Sequence, residues 1–251
     1  MLDLHCHILP GVDDGATSLD ESLEMARFCV RDGITHVVAT PHCHRHCRML
    51  RADILPHVAR LNVALVAACI PLSVLPGSEI QCTDTAAYRR EFEAGLYCHL
   101  GDRPAFTLLE FNWKPEQYPA DAPELVEWLV GHGTTPIIAH PERHGYFAED
   151  PAKLAALVTA GAWLQVTVDS LLGNHGFAPR VASELLLRQY PYAVLATDAH
   201  NLRRCSGLSA GYTWVQQQLG AERVASLRAT AARVLSAISP EAEPAAPAPD
   251  A

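Results

Sequence analysis

Residues 1–15 read MLDLHCHILPGVDDG, and the rest of the chain is organised around them. Leu2, Asp3 and Leu4 make a short strand that runs straight into His5-Cys6-His7. Side chains alternate along a strand, so His5 and His7 share one face while Cys6 turns the other way, into packing. Two imidazoles on one face at a strand's end can grip a metal ion. Alone, that pair is a weak signal; its weight comes from recurrence. Thr40-Pro41-His42, Gly77-Ser78-Glu79, Leu109-Glu110-Phe111, His140-Pro141-Glu142-Arg143 and Asp198-Ala199-His200 each follow an apolar, strand-like run. Core packing gives no reason for ligand-type residues at the ends of successive strands.

Between these runs lie helical patterns. Ser18-Leu19-Asp20-Glu21 is a capping box, after which Leu19, Leu23, Ala26 and Val30 share a helical face up to Gly33. Strands are expected at Leu2–Leu4, Thr35–Thr40, Leu72–Leu75, Phe106–Phe111, Pro136–Ala139, Trp163–Val168 and Ala193–Thr197. Helices follow them, among them Asp53–Ala68, Asp84–Ala94, Ala122–Val130, Pro151–Ala160, Pro179–Gln189 and one or two within Gly207–Ala237. Seven strand-then-helix units predict an α/β protein with a parallel, barrel-like sheet and its chemistry at the C-terminal strand ends. Residues 1–238 read as one domain; the tail 239–251, SPEAEPAAPAPDA, is too poor in large apolar residues to bury a core and is expected to be disordered.

The chain has 251 residues, 49% of them apolar, enough for one large α/β domain. A net charge of −9 argues against a nucleic-acid surface. Its two lysines are Lys114 and Lys153, so positive charge is mostly arginine, suited to bidentate recognition of phosphate. The longest apolar stretch, residues 58–75, is interrupted by Arg60, Asn62 and Pro71, so no membrane insertion is expected. The eight cysteines are not spaced as a disulfide scaffold and the start lacks a signal-peptide pattern, so a reduced, cytoplasmic protein is expected. None of these cysteines has an arginine six residues on, which sets aside a cysteine-nucleophile phosphatase.

The candidate metal ligands are His5, His7, Asp14, His42, Glu79, Glu110, His140, Asp198 and His200. Mixed imidazole and carboxylate donors suit Zn, Mn or Fe rather than a thiolate site. Nine ligands exceed what one ion needs and fit two or three ions sharing a carboxylate. Clustered ions turn a water into hydroxide and clamp the oxygens of a phosphoryl group. Their charge outweighs that of the four carboxylates, so an anionic substrate is expected, with Arg143 adding to the surplus. Simpler roles compete: Asp14 could merely support the turn at Val12–Gly15, Glu110 could pair with an arginine, and His144 and His175 read as ordinary loop histidines. The stretch Pro41–Arg51, PHCHRHCRMLR, crowds His42, Cys43, His44, His46 and Cys47 too closely for one tetrahedral zinc. It reads instead as a mobile basic loop at the mouth of a site, with Arg45, Arg48 and Arg51 choosing among phosphopeptides.

The motifs HCHILPGVDDGA, ITHVVATPH, GSEI, LLEF, HPERH and TDAHN, in this order over residues 1–205, resemble the polymerase-and-histidinol-phosphatase (PHP) family. They are most similar to its bacterial branch of metal-dependent protein-tyrosine phosphatases, linked to capsule and exopolysaccharide synthesis. The resemblance implies a distorted seven-stranded (β/α) TIM-like barrel holding three divalent ions, often manganese. It implies a phosphotyrosine protein as substrate, a bacterial tyrosine kinase tail being the expected partner. It places His5, His7, Glu79 and Asp198 on one ion, Glu79, Glu110 and His140 on a second, and Asp14, His42 and His200 on a third. Arg143 would bind phosphate, with Asp198 and His200 also acting in the reaction. An arginine after the DAH motif is expected too, and either Arg203 or Arg204 fits.

Three other readings compete. A histidinol-phosphate phosphatase of the same family would use the same metals, but Asp14 and Glu110 stand where that branch tends to carry histidine. An amidohydrolase with a bridging lysine would need one near the fourth strand, where Lys114 is poorly placed. A non-catalytic metal-binding scaffold that docks a kinase would not need so complete a ligand set.

Overall fold

The computed structural model describes residues 1–239, so all but the first residue of the tail expected at 239–251 lies outside the described residues. The chain opens with β1 (Leu2–Cys6), every residue of it buried, and then α1 (Leu19–Arg31). Ser18 caps α1 by accepting from the Glu21 N–H at 3.3 Å, as expected. The Glu21 carboxylate, however, takes the Thr17 N–H and hydroxyl instead of reaching back to Ser18, so only half the capping box forms. There follow β2 (His36–Ala39), β3 (His42–Cys43), α2 (Arg51–Ala67), β4 (Ser73–Pro76), β5 (Glu79–Cys82), α3 (Thr85–Glu93) and β6 (Phe106–Phe111). The second half continues with α4 (Ala122–Gly131), β7 (Thr135–Ile138), α5 (Gly145–Glu149), α6 (Pro151–Thr159), β8 (Trp163–Thr167) and α7 (Val168–Leu172). It ends with α8 (Phe177–Gln189), β9 (Ala193–Ala196), α9 (Leu208–Leu219) and α10 (Ala221–Ile238).

All strand pairs are parallel, as alternation of strands and helices requires. They form two sheets, β1-β2-β4 and β3-β5-β6-β7-β8-β9, which do not close into one. Among the described residues the seven expected strands become nine, because β3 falls in the stretch read as a loop after Pro41 and β5 follows the expected end of the third strand at Leu75. Pro41, which has no N–H to give a ladder, separates β2 from β3. Gly77 separates β4 from β5 where the backbone passes so near β2 that a Cβ would sit 2.6 Å from Val38 Cγ1. The chain just after β9 runs beside β1: Asp198 N–H donates to His5 O and His7 N–H to Ala199 O, both at 2.9 Å.

Two apolar clusters hold these layers. The smaller gathers Leu2, Leu4, Val38, Leu75, Leu108, Ile137, Val194 and Ala196 from the strands under Val234 and Ile238 of α10. The larger packs the outer strand faces, Cys6 included, under the other helices. The register of β1 against β2 slips between Asp3 and Cys6. This irregularity falls where His5 leaves the ladder, a position where bulges beside functional sites are common.

Candidate metal centre

The nine expected ligands converge. Asp14, His42, Glu79, Glu110, His140, Asp198 and His200 line a cavity of about 200 Å³ together with Trp113, Arg143 and Arg204. His5 and His7 are buried beside it, their Nε2 atoms 3.4–3.6 Å from Glu79 and Asp198 oxygens. Donor atoms fall into three groups within which all lie inside 4.8 Å: His7, Asp14, His42 and His200; His5, Glu79 and His140; His5, His7 and Asp198. Glu110 stands at the edge of these, 3.9 Å from His140 Nε2.

His5 and Glu110 lie near the ends of β1 and β6, His42 and Glu79 open β3 and β5, and His7, Asp14, His140, Asp198 and His200 follow strands, two of them on a bent backbone. His140 and Asp198, just beyond β7 and β9, have φ of +31° and +51°, a region that side-chain-bearing residues occupy at a cost met by surrounding structure. Asp14 reaches into the site, 3.2 Å from His42 Nε2 and 3.4 Å from His200 Nε2. The turn role weighed for Asp14 belongs to Asp13, which accepts the Gly15 N–H at 2.9 Å. Glu110 takes a hydrogen bond from Gln81 Nε2 at 2.7 Å, and Asn112 in turn donates to Gln81.

The hydrogen bonds fix which imidazole nitrogens face the cavity. Gln165 Oε1 accepts the His140 backbone N–H and also meets His5 Nδ1 at 3.0 Å, so it must accept from His5. His7 Nδ1 gives its proton to Asp13 at 2.7 Å, and His200 Nδ1 to the Asp198 carbonyl at 2.9 Å. As neutral rings, His5 and His7 then point two Nε2 lone pairs at each other across 3.2 Å. Glu79 Oε2 and His42 Nδ1 lie buried without a hydrogen-bond partner although only 2.8 Å apart. Lone pairs converging on shared points need positive charge between them, so these residues fit divalent ions.

Electrostatics point the same way. Burial works against protonating His5, but the Glu79 and Asp198 carboxylates outweigh it and raise its pKa to about 9. His42 is buried as well, and Glu79 with Asp14 carries it up to about 12. Hydrogen bonds from His200 and His42 hold Asp14 well below the usual carboxylate range. Burial, then the neighbouring Glu79, pushes Glu110 upward. The cluster draws protons because it lacks countercharge, the role metal ions take over when they displace those protons.

Other expectations change. Arg143 is not free: Nη1 donates to Asp198 Oδ2 at 2.6 Å, and its guanidinium carbon lies 4.9 Å from the Trp113 ring centre. Of the two candidate arginines after the DAH motif, Arg204 lines the cavity. His144 is no ordinary loop residue; it is buried beside Trp113 and Tyr146, with burial bringing its pKa down to about 2, so its ring is neutral. His175 is half-buried and meets Ser170 Oγ at 3.0 Å. The loop after Pro41 is tied down rather than openly basic. Arg48 pairs with Glu91 at 2.9 Å, and Arg51 grips Asp102 with two bonds of 2.6 and 2.7 Å. His44 Nδ1 accepts the N–H groups of His46 and Cys47, which leaves it no lone pair there for zinc.

Asp13, Gln81, Trp113 and Gln165 were not visible as site residues in the sequence. Only Asp13 carried a signal, as one of two adjacent acids in the turn after the histidine pair.

Imidazoles and carboxylates gathered at the C-terminal ends of parallel strands define an α/β metal-site protein. The chain belongs to the capsular polysaccharide synthesis family CpsB/CapC, which matches residues 1–236. It is 37% identical over 204 residues to the tyrosine-protein phosphatase YwqE of Bacillus subtilis, covering 81% of this chain and 78% of that one. To the tyrosine-protein phosphatase CpsB of Streptococcus pneumoniae it is 26% identical over 235 residues, 90% of this chain and 94% of that one. A crystal structure from work on YwqE and CpsB, described as metal-dependent tyrosine phosphatases, superposes with a TM-score of 0.88 at 34% identity, covering 95% and 96% of the two chains. The Listeria monocytogenes lactonase Lmo2620 shares the fold alone, with a TM-score of 0.56 at 12% identity over 92% and 93% of the chains.

Proposed function

We propose that this chain is a metal-dependent phosphatase that hydrolyses phosphotyrosine on proteins. Its expected substrate is a bacterial tyrosine kinase that controls capsule or exopolysaccharide synthesis. The observation that carries this reading is the facing pair of His5 and His7 Nε2 atoms, 3.2 Å apart, with Glu79 and Asp198 against them and Arg143 on Asp198. The family and the names of its relatives support the substrate class. We read the two sheets as one distorted seven-stranded (β/α) barrel of the PHP type. In that reading β2 with β3, and β4 with β5, are halves of single strands, and the bridge from Cys6 to Ala199 supports it. No helix among the described residues is long and apolar enough to cross a membrane, and we place the protein in the cytoplasm.

Three ions, manganese by preference, would be held by His5, His7, Glu79 and Asp198, by Glu79, Glu110 and His140, and by Asp14, His42 and His200. Such ions supply Lewis-acid polarisation of phosphoryl oxygens and an acidified water. The chain's own side chains do the rest. Glu79 spans the cluster, with Oε1 2.7 Å from His140 and Oε2 2.8 Å from His42. Asp13 and Gln165 hold the rings of His7 and His5 in the orientation that aims Nε2 inward. Arg143, braced by Trp113, keeps further guanidinium donors for a phosphate oxygen, and Arg204 adds charge from the opposite motif. His200, with its Nδ1 proton committed to the Asp198 carbonyl, keeps Nε2 turned to the site.

Turnover of a phosphotyrosine peptide against histidinol phosphate, with metal content measured on the same sample, tests this. The reading expects the peptide to be preferred, activity to be lost to a chelator, and thiol alkylation to spare it. Preference for histidinol phosphate, or full activity in metal-free protein, would overturn it.

A further inference from the structure

A second cavity, of about 250 Å³, adjoins the metal centre and shares His42, Glu110 and Trp113 with it. Its other lining includes His44, His46, Gln81 and Asn112. His42, His44, His46 and Trp113 give it flat rings. His42 and His44 have ring centres 4.9 Å apart, and His44 and His46 6.1 Å, which makes a row of imidazoles. The Trp113 indole is the other aromatic element. The amides in the lining are already committed, Asn112 Nδ2 to Gln81 Oε1 and Gln81 Nε2 to Glu110 Oε2.

Trp113 is an unusual residue to leave open. It stacks on His140 at 5.3 Å with planes 15° apart, touches His144 at 4.4 Å, and lies 4.9 Å from the Arg143 guanidinium carbon, yet stays 43% exposed. An indole fixed by three neighbours with an open surface is a rigid stacking platform at no further cost in rotamer freedom. We infer that this second cavity receives the aromatic ring of the phosphorylated residue, stacked against Trp113, while its phosphate occupies the adjoining metal centre. The inference rests on the phosphatase reading and deepens it. An aliphatic phosphomonoester fills the metal centre equally well but leaves the ring cavity to water, so the cavity selects phosphotyrosine over phosphoserine.

Two readouts test it on the manganese-loaded, full-length protein. In kinetics, Trp113→Ala raises KM for phenyl phosphate by roughly three- to tenfold, the scale of one aromatic contact. KM for glycerol phosphate rises only by what loosening Arg143 costs both esters, so the ratio of the two KM values increases, and Trp113→Phe restores most of that ratio. Equal rises on both esters would overturn the inference, leaving Trp113 as a support for Arg143 alone. In binding, the non-hydrolysable phenylphosphonate quenches tryptophan fluorescence of the wild type but not of Trp113→Phe, and inorganic phosphate quenches neither. Quenching that persists in Trp113→Phe, or its absence from the wild type, would also overturn it. Should the wild type hydrolyse neither ester, the phosphatase reading falls, while phenylphosphonate still decides the ring cavity.

Discussion

The Nε2 atoms of His5 and His7 stand 3.2 Å apart, with the Nδ1 proton of each ring already given to Gln165 and Asp13. Only positive charge between those atoms satisfies both, whether a proton or a metal ion. In metal-free protein it is a proton: His5 is raised to about 9 by Glu79 and Asp198, against the pull of burial. A pKa raised in the folded state stabilises fully below the unfolded value near 6.5 and less as pH climbs through about 9. Metal-free protein should therefore lose Tm between pH 6.5 and 9, and protein saturated with manganese should not. Calorimetry in buffers of differing ionisation enthalpy should also find protons released on metal binding at pH 7, with affinity rising with pH. Binding without proton release would contradict this account of the pair.

Glu79 touches four imidazoles, at 2.7 Å to His140, 2.8 Å to His42, 3.5 Å to His5 and 3.6 Å to His7. In the proposed function a carboxylate so placed would serve more than one ion. Glu79→Gln should lower bound metal more than the corresponding change at Asp14, Glu110 or Asp198. Elemental analysis of the four variants gives the order, and full occupancy in Glu79→Gln would refute the bridging role.

Asp13 takes the His7 Nδ1 proton and also accepts the Gly15 and His42 backbone N–H groups. It thus aligns the segments of His7 and His42 without itself lining the cavity. Asp13→Asn should weaken metal binding by about 10–100-fold, the usual cost of losing an orienting partner behind a ligand histidine. Metal titration of the variant checks this; unchanged affinity would leave Asp13 a turn residue.

Arg143 sits between Asp198 and the Trp113 ring, so its guanidinium is held in place before substrate arrives. Arg143→Ala should keep its metals and its fold but lose about 10²–10³-fold in kcat, the scale for one charge-stabilising donor. Arg143→Lys should recover only part, because an ammonium lacks the paired geometry. Steady-state kinetics on a phosphotyrosine peptide, with metal content as control, tells the two roles apart. A nearly unimpaired Arg143→Ala would remove it from phosphate binding.

Much of this is legible in the sequence. Strand ends bearing His42, Glu79, Glu110, His140 and Asp198 announce themselves because a polar ligand interrupts an apolar run. The strands β3 and β5 are not legible, because β3 is two residues inside a polar stretch and β5 opens on the ligand Glu79, so neither makes an apolar run. Asp14 is legible as a ligand through the family resemblance, but the turn role of its neighbour Asp13 is not, since adjacent acids in a turn differ only in direction. Arg48 and Arg51 looked like substrate-facing charge, but their partners Glu91 and Asp102 come from distant segments. Nothing in the sequence singles out Trp113 or Gln165, because their roles exist only through side chains that the fold brings to them.

Stepwise addition of manganese to metal-free protein, with phosphotyrosine-peptide turnover followed at each equivalent, tests the central claim most directly. The account predicts negligible turnover without metal and a rise that continues beyond one equivalent, as a centre with a shared Glu79 requires. Full turnover without metal, or saturation at a single equivalent, would contradict it.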